Sequence, residues 1–160
     1  MAEEKIILPN EGYILTIVKP HYTCFTNSIM SSFKGIGDLK TGIIQTIPGR
    51  IEWAEHYIEH KGRIGKEGRE YYSEMIKDYQ DKLISLAVFH GNYKEFTDMK
   101  EELRKVHKFY YDFPHRKPVD TSDNYISANK QINIWQAYIR KVLLNNDFDV
   151  FLKNLQTKSL

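Results

Sequence analysis

The feature that most constrains the fold of this chain is an apolar repeat within residues 68–90. Apolar side chains recur there at spacings of three and four, so a helix would gather them on one face: Tyr72, Met75, Ile76, Tyr79, Leu83, Leu86 and Ala87. Gly91 follows, and glycine ends helices readily because it accepts a positive φ. The repeat predicts one long amphipathic helix whose apolar face needs cover from other helices.

Helical spacing continues on both sides of this segment. Helices are predicted after Pro20, Pro48 and Asn92 and again after Ser122 or Asp123, because proline and short polar side chains favour helix starts. Residues 12–18 alternate like a strand, and residues 36–47 fit either a short helix or a strand. The expected fold is mainly α: a helical bundle-like single domain over residues 1–160, with a small N-terminal β or irregular element.

The composition is that of an ordinary globular chain. Of its 160 residues, 41% are hydrophobic and 28% are charged, and a net charge of +2 selects neither nucleic acid nor membrane as a partner for the whole surface. No apolar run is long enough to span a bilayer, and the acidic start does not resemble a signal peptide. With Cys24 as the single cysteine, we expect an intracellular protein, in the cytoplasm, with an organelle as the alternative.

One short string has the form of a metal motif. His56-Tyr57-Ile58-Glu59-His60 resembles the HxxEH motif of the inverzincin metallopeptidases, and the resemblance implies two zinc-binding histidines and a glutamate base. Helical phase, however, predicts that His56 and His60 lie opposite the apolar face formed by Ile51, Ala54 and Ile58. A solvated face without metal or cofactor is therefore expected, and a zinc hydrolase is the weakest of the functions considered.

A second candidate is a phosphate-binding surface. Residues 28–44 resemble a helix-hairpin-helix element, in which a Gly-x-Gly turn such as Gly35-Ile36-Gly37 presents backbone N–H groups to a nucleic-acid phosphate. Residues 61–69 add a basic, glycine-rich loop ahead of the long helix. The predicted phosphate ligands are Gly35, Gly37, Lys61, Arg63, Lys66 and Arg69, and they make a nucleic-acid-binding protein the main alternative function.

The third candidate is an aromatic surface at the end of the helix that follows Asn92. Three consecutive aromatic residues, Phe109, Tyr110 and Tyr111, fan across too wide an angle to reach one core. An outward-facing aromatic centre with a polar rim is typical of protein interfaces. The predicted partner-binding residues are Phe109, Tyr111, Arg104, Lys108 and Arg116.

The motifs do not assemble into a catalytic set. No nucleophile, base and oxyanion donor stand together in the sequence, so we expect no catalytic residues, and an enzyme is the minority interpretation. The predicted function is that of a non-catalytic binding protein, a structural or accessory subunit of a larger intracellular assembly, with a protein as its partner.

Overall fold

A five-stranded antiparallel sheet forms the centre of the structure. The structure, a computed structural model, describes residues 7–61, 65–106, 116–140 and 150–153, with all of their side chains except those of residues 58–71. The strands are β1 Glu11–Val18, β2 Gly37–Leu39, β3 Ile44–Thr46, β4 Ile84–Asn92 and β5 Val119–Thr121. The helices are α1 Thr26–Lys34, α2 Arg50–Lys61, α3 Gly65–Tyr79, α4 Tyr93–Val106 and α5 Tyr125–Ile139.

Two long strands carry the sheet. β1 and β4 pair along their whole length, from Glu11 opposite Asn92 to Val18 opposite Ser85. β5 adds to the free edge of β1, while β2 and β3 follow one another along the other edge of β4. Because β1 and β4 are central, helices can cover both of their faces.

Each face of the sheet carries its own hydrophobic cluster. On one face, Leu15 and Ile17 of β1 and Ile84, Leu86 and Val88 of β4 form one cluster. They pack with side chains of α2, α3 and α5, including Trp53, Tyr79 and Trp135. On the other face, Ile14, Val18 and Phe89 pack against α1 and α4. The strands are therefore buried from both sides, which removes the alternation of polar and apolar residues that a half-exposed strand would show.

The prediction of a mainly α bundle is wrong, and the error lies within residues 68–90. α3 ends at Tyr79, Asp81 takes a positive φ of 60°, and the chain returns as β4 from Ile84. The apolar residues of β4 also satisfied a helical spacing because the strand is buried on both faces. Leu83, predicted on the helix's apolar stripe, lies before β4 and is 39% exposed.

Residues 36–47, which fitted a helix or a strand, form the short strands β2 and β3. The helix-hairpin-helix resemblance required a second helix after Gly37, and the structure has β2 there instead. Gly35 is the C-cap of α1 with an ordinary φ of −71°, and Gly37 pairs with Gly91. The glycines thus connect a helix to a sheet edge.

α2 buries a different face from the one predicted. Trp53, His56 and Tyr57 are buried, whereas Ile51 is 72% exposed. The aromatic side chains direct this face toward the sheet because Trp53 stacks on Tyr57 and meets α5 edge-on through Trp135. The prediction that His56 is solvated is therefore wrong, while the side chain of His60 lies outside the described residues.

The helix predicted after Ser122 or Asp123 is α5. Its N-cap is Asn124, whose side chain accepts a hydrogen bond of 2.9 Å from the backbone N–H of Ser127. Its buried side chains lie on the predicted stripe: Ala128, Ile132, Trp135 and Ile139. Within the described ranges, no helix combines the length and apolar character needed to cross a membrane.

Candidate active site

A cavity of about 180 Å³ opens where β1 ends. Four of its lining side chains are cationic and two are carboxylates, so it carries an excess of positive charge when its lysines are protonated. We call it the cationic cavity. Its lining residues are Lys19, Tyr57, Tyr72, Met75, Lys100, Arg104, Lys117, Asp120 and Asp123.

Sheet register brings two of these charges together. Asp120 of β5 lies opposite Ile17 of β1, so their side chains share one face of the sheet. Lys19 follows Ile17 by two residues and continues that face. The backbone N–H of Lys19 donates to the carbonyl of Pro118 at 3.1 Å, which extends the pairing and holds Lys117 beside the cavity.

Lys19 is a buried cation at the floor of the cavity. Its side chain is 3% exposed, and Nζ lies 5.8 Å and 5.5 Å from the ring centroids of Tyr57 and Tyr79. Burial lowers the pKa of Lys19 to about 7, against the opposing charge of Asp120 and with a further lowering by Arg104. Within the described part of the chain its ammonium makes no hydrogen bond, so it has donors available for a ligand.

Asp120 is an ionised carboxylate whose two oxygens have different surroundings. Burial would raise the pKa of Asp120, but the charge of Lys19 and a hydrogen bond from His56 hold it well below its usual value of 3.8. Oδ2 accepts from Nε2 of His56 at 3.2 Å. Oδ1 meets only Nη2 of Arg104 among the described residues, at 3.7 Å.

The orientation of His56 is set by a third side chain. Nε1 of Trp135 donates to Nδ1 of His56 at 3.1 Å, deep in the core. An indole N–H can only donate, so Nδ1 accepts and the ring proton is on Nε2, where it points to Asp120. Trp135, His56 and Asp120 therefore form a fixed chain of hydrogen bonds from α5 through α2 to β5.

The remaining cations come from α4 and from the segment before β5. Nζ of Lys100 lies 2.9 Å from Oδ1 of Asp123, and Arg104 donates to the carbonyl of Val119 at 3.3 Å and 3.1 Å. Burial lowers the pKa of Lys117, with Arg104 adding to the shift and Asp120 opposing it. Lys117 makes no hydrogen bond to a described residue, so its ammonium, like that of Lys19, is available to an anion.

Another charged cluster lies outside the cavity. Asp78, at the end of α3, accepts two hydrogen bonds from Arg116, at 3.0 Å and 3.1 Å, one from Lys82 at 3.2 Å, and lies 3.1 Å from Nε2 of His21. Partial burial would raise the pKa of Asp78, but these partners hold it well below its usual range. We call this group of four residues the Asp78 clasp.

The clasp is adjacent in sequence to the cavity. His21 follows Lys19 by two residues and takes a positive φ of 78°, a conformation that needs support in a non-glycine residue. Arg116 directly precedes Lys117. By binding both His21 and Arg116, Asp78 fixes the two chain segments that carry Lys19 and Lys117.

The predicted partner-binding residues are divided by the structure. Phe109, Tyr111 and Lys108 lie outside the described residues. Arg104 lines the cationic cavity, and Arg116 belongs to the Asp78 clasp. The protein partner stays a prediction, but two of its proposed rim residues already have contacts within the fold.

Gly35 and Gly37, the predicted phosphate ligands that the structure describes in full, do not lie in the cavity lining. Gly35 and Gly37 border a different, open depression beside β2 and β4. Lys61 ends α2 and Lys66 and Arg69 belong to α3, but their side chains are not described, and Arg63 lies outside the described residues. Phosphate binding by these residues stays a prediction.

The zinc interpretation loses its first ligand. Both ring nitrogens of His56 are used inside the core, by Asp120 and by Trp135. Across the described ranges, no group of three or more His, Cys, Asp or Glu side chains could hold a metal ion. The HxxEH string is better explained as part of the hydrogen-bond chain that ends at Asp120.

Sequence reasoning missed Lys19, Lys100 and Asp120 as site residues. The available signal was a charged residue directly after a buried strand, as in Val18-Lys19, and another within a short apolar strand, as in Val119-Asp120-Thr121. A charge in such a position is partly or fully buried, and shielded charges occur where they are paired or functional. These residues are far apart in the sequence, so their proximity in the fold could not be predicted from it.

The comparisons with known proteins rest on structure, because no family model and no curated protein matches the sequence. Nucleoside diphosphate kinase from Aquifex aeolicus is similar with a TM-score of 0.61 and 19% identity, over 78% of this chain and 94% of that chain. The enzyme from Borrelia burgdorferi, with bound vanadate and ADP as a transition-state mimic, is similar with a TM-score of 0.62 and 17% identity, over 86% and 92%. The enzyme from Encephalitozoon cuniculi is similar with a TM-score of 0.55 and 20% identity, over 77% of this chain and 87% of that chain.

At these identities the likeness establishes the fold: an α/β fold shared with nucleoside diphosphate kinases. The prediction of a non-catalytic, helical structural or accessory subunit is therefore wrong, because the fold it assumed is absent and the similar structures are kinases. The nucleic-acid alternative loses its helix-hairpin-helix basis, since β2 follows the turn at Gly35. The zinc-hydrolase alternative loses His56 as a ligand.

Proposed function

We propose that this chain is an enzyme that binds a nucleoside polyphosphate in the cationic cavity and transfers its terminal phosphoryl group. The observation that carries the proposal is the convergence of four cations, Lys19, Lys100, Arg104 and Lys117, around the carboxylate of Asp120. Phosphoryl transfer depends on positioning and on neutralising charge, and such a cluster supplies both.

The charges of the cavity favour a polyphosphate over a neutral ligand. Lys19 and Lys117 are held in partly or fully buried positions where burial disfavours their charged forms. A bound phosphate would reverse that effect by giving each ammonium a counter-charge and hydrogen-bond acceptors. Their donors are directed into the cavity without an internal partner among the described residues, which is the state expected of a ligand-binding cation.

The proteins that share the fold support the choice of nucleotide. They are nucleoside diphosphate kinases, and the one from Borrelia burgdorferi was determined with ADP and vanadate bound. A shared fold alone does not assign a reaction, because the same fold hosts different functions. The proposal therefore depends on the cavity residues of this chain, and the similar structures indicate which phosphate-bearing ligands should be tested first.

The test combines binding and turnover. Calorimetric titration in a magnesium-containing buffer with ADP, and with adenosine as a phosphate-free control, measures binding. Transfer from ATP radiolabelled in its γ-phosphate to GDP measures turnover. We expect ADP but not adenosine to bind, and Lys19→Met to weaken ADP binding about tenfold or more, the effect of one lost hydrogen bond between charged groups.

Lys94→Met is the matched control. Lys94 is an exposed lysine whose ammonium pairs with Asp98 at 2.8 Å on the surface of α4, away from the cavity lining. The same change of side chain there should leave ADP binding unchanged. Equal affinity of the wild-type chain for ADP and adenosine, or absence of ADP binding, would overturn the proposal.

A further inference from the structure

The unequal surroundings of the two Asp120 oxygens define a nucleophile. We propose that Oδ1 of Asp120 accepts the phosphoryl group from the nucleoside triphosphate, so that the reaction passes through an aspartyl phosphate on this chain. The inference rests on the proposed function, because it requires a polyphosphate in the cationic cavity. It goes beyond that function by assigning the group that bonds to phosphorus.

The first argument is orientation. Oδ2 of Asp120 is held by the Nε2–H of His56, and His56 is held by Trp135, so the plane of the carboxylate cannot turn freely. Trp135 is fully buried and His56 is 3% exposed, which places both supports within the core. The remaining oxygen, Oδ1, is fixed on the side of Arg104, where a phosphate would bind. A nucleophile held in one geometry loses little entropy on reaching the transition state.

The second argument is charge. Attack by a carboxylate on a phosphate brings two anions together, which is unfavourable without nearby cations. Lys19, Lys100, Arg104 and Lys117 line the same cavity and can offset that repulsion. Carboxylates that form acyl phosphates are a recognised class of enzyme nucleophile.

The third argument is the lack of a competing nucleophile in the described lining. Asp123 is paired with Lys100, and its side chain is 56% exposed. His56 uses both nitrogens in hydrogen bonds within the core, so neither has a lone pair directed into the cavity. Tyr57 and Tyr72 present phenols, which are weak nucleophiles at neutral pH because a phenol is protonated there. Asp120 is ionised and correctly placed.

The step balances without any further reagent. Oδ1 of Asp120 forms a bond to the γ-phosphorus, and the bond from that phosphorus to the oxygen bridging the β- and γ-phosphates breaks. The bonding electron pair leaves with the nucleoside diphosphate. An oxygen of an acceptor phosphate, or of water, then attacks the same phosphorus and releases the Asp120 carboxylate. Nothing is oxidised or reduced.

The experiment traps the intermediate. The full chain is incubated with ATP radiolabelled in its γ-phosphate and quenched in acid, and the labelled protein is then exposed to alkali and to neutral hydroxylamine. An acyl phosphate loses its label in both, whereas a phosphoserine or phosphothreonine ester resists hydroxylamine and a phosphohistidine survives alkali. Reduction with borohydride converts an aspartyl phosphate to homoserine, which mass spectrometry locates in the sequence. We expect alkali-labile label and homoserine at position 120.

Two variants complete the test. Asp120→Asn should lose the label while still binding ADP, with an affinity changed by the loss of a carboxylate from the cavity lining. Asp98→Asn, the same change at an exposed carboxylate of α4, should keep both the label and the wild-type affinity. Borohydride trapping uses the wild-type chain, so the inference stays testable if Asp120→Asn fails to fold. Alkali-stable label, label or transfer that persists in Asp120→Asn, or ADP binding without any label would each overturn the aspartyl phosphate. Absence of ADP binding would instead overturn the proposed function.

Discussion

Asp78 and Asp120 are two partly shielded carboxylates surrounded by cations, and they differ in how fully their oxygens are used. Asp78 accepts from both nitrogens of the Arg116 fork and from Lys82, and it also contacts His21, so both of its oxygens are engaged. From the residues that the structure describes, Asp120 accepts one hydrogen bond, on Oδ2, while Oδ1 faces Arg104 at 3.7 Å. The Asp78 clasp therefore satisfies its carboxylate without a ligand.

The difference teaches how to separate a structural ion cluster from a functional one. Nearby cations and a lowered pKa are common to both carboxylates, so neither property distinguishes them. The distinguishing property is an excess of unused hydrogen-bond donors around Asp120. The ammonium groups of Lys19 and Lys117 have no hydrogen-bond partner among the described residues. Unused hydrogen-bond donors around an oriented carboxylate indicate a site that binds an anionic ligand.

The largest effect we expect is on stability at the clasp. Asp78→Asn should lower the free energy of unfolding by about 1–3 kcal/mol at neutral pH, the cost of leaving charged partners unsatisfied. Asp120→Asn should cost less, because an amide oxygen can still accept the hydrogen bond from His56. Chemical denaturation of both variants measures this. Equal losses would show that the two carboxylates have the same structural role.

The effect of Asp78 should depend on pH in a defined direction. A carboxyl whose pKa is lowered by folding contributes stability that is fully present above its usual value of 3.8 and is lost as pH falls toward the folded value. The difference between wild type and Asp78→Asn should therefore shrink below about pH 4. A difference that stays constant down to pH 2 would contradict the role of the ionised form.

A smaller effect should separate the two tryptophans. Trp135→Phe removes the donor that fixes the tautomer of His56, so the rate of phosphoryl transfer should fall about tenfold with little change in nucleotide affinity, the scale of one hydrogen bond. Trp53→Phe is the matched control, because Trp53 is equally buried and its indole N–H has no hydrogen-bond partner in the described structure. Similar losses in rate for both variants would assign the effect to packing.

The smallest effect is proton uptake on binding. Because burial lowers the pKa of Lys19 to about 7, this side chain is largely neutral at pH 8 and largely charged at pH 6. A bound phosphate raises that pKa, so ADP should take up a fraction of a proton per molecule at pH 8 and less at pH 6. Calorimetry in buffers of different ionisation enthalpy measures the uptake. Lys19→Met should abolish it, and unchanged uptake in that variant would assign the proton to another group.

The fold could be predicted from the sequence where one face of an element is exposed. The buried stripe of α5, from Ala128 to Ile139, follows the predicted helical phase because polar residues mark its other side. β4 could not be recognised in this way, since residues 84–89 are all buried and a run buried on every side has no phase. Its neighbour in the sequence, α3, then appeared to continue through it.

The site was beyond reach for a different reason. Five elements contribute the site residues Lys19, His56, Lys100, Asp120 and Trp135. The β1–β5 register, the packing of α4 against β5 and the packing of α2 against α5 bring these residues together. No local spacing encodes those contacts. Sequence analysis identified Arg104 as a candidate site residue but assigned it to an outer surface. The cavity that Arg104 lines is formed by residues far apart in the sequence, so local patterns do not reveal it.

The hydrogen bond from Trp135 to His56 also makes intrinsic tryptophan fluorescence a probe of the site. Trp53 and Trp135 are the only tryptophans of the chain, both are fully buried, and their rings lie 6.0 Å and 5.9 Å from that of His56. All indole fluorescence of the native chain therefore comes from two side chains that lie beside His56, the hydrogen-bond donor to Asp120. Changes of charge at that carboxylate can be followed as shifts in emission, in real time and without a label, while aqueous quenchers are kept out by the fold.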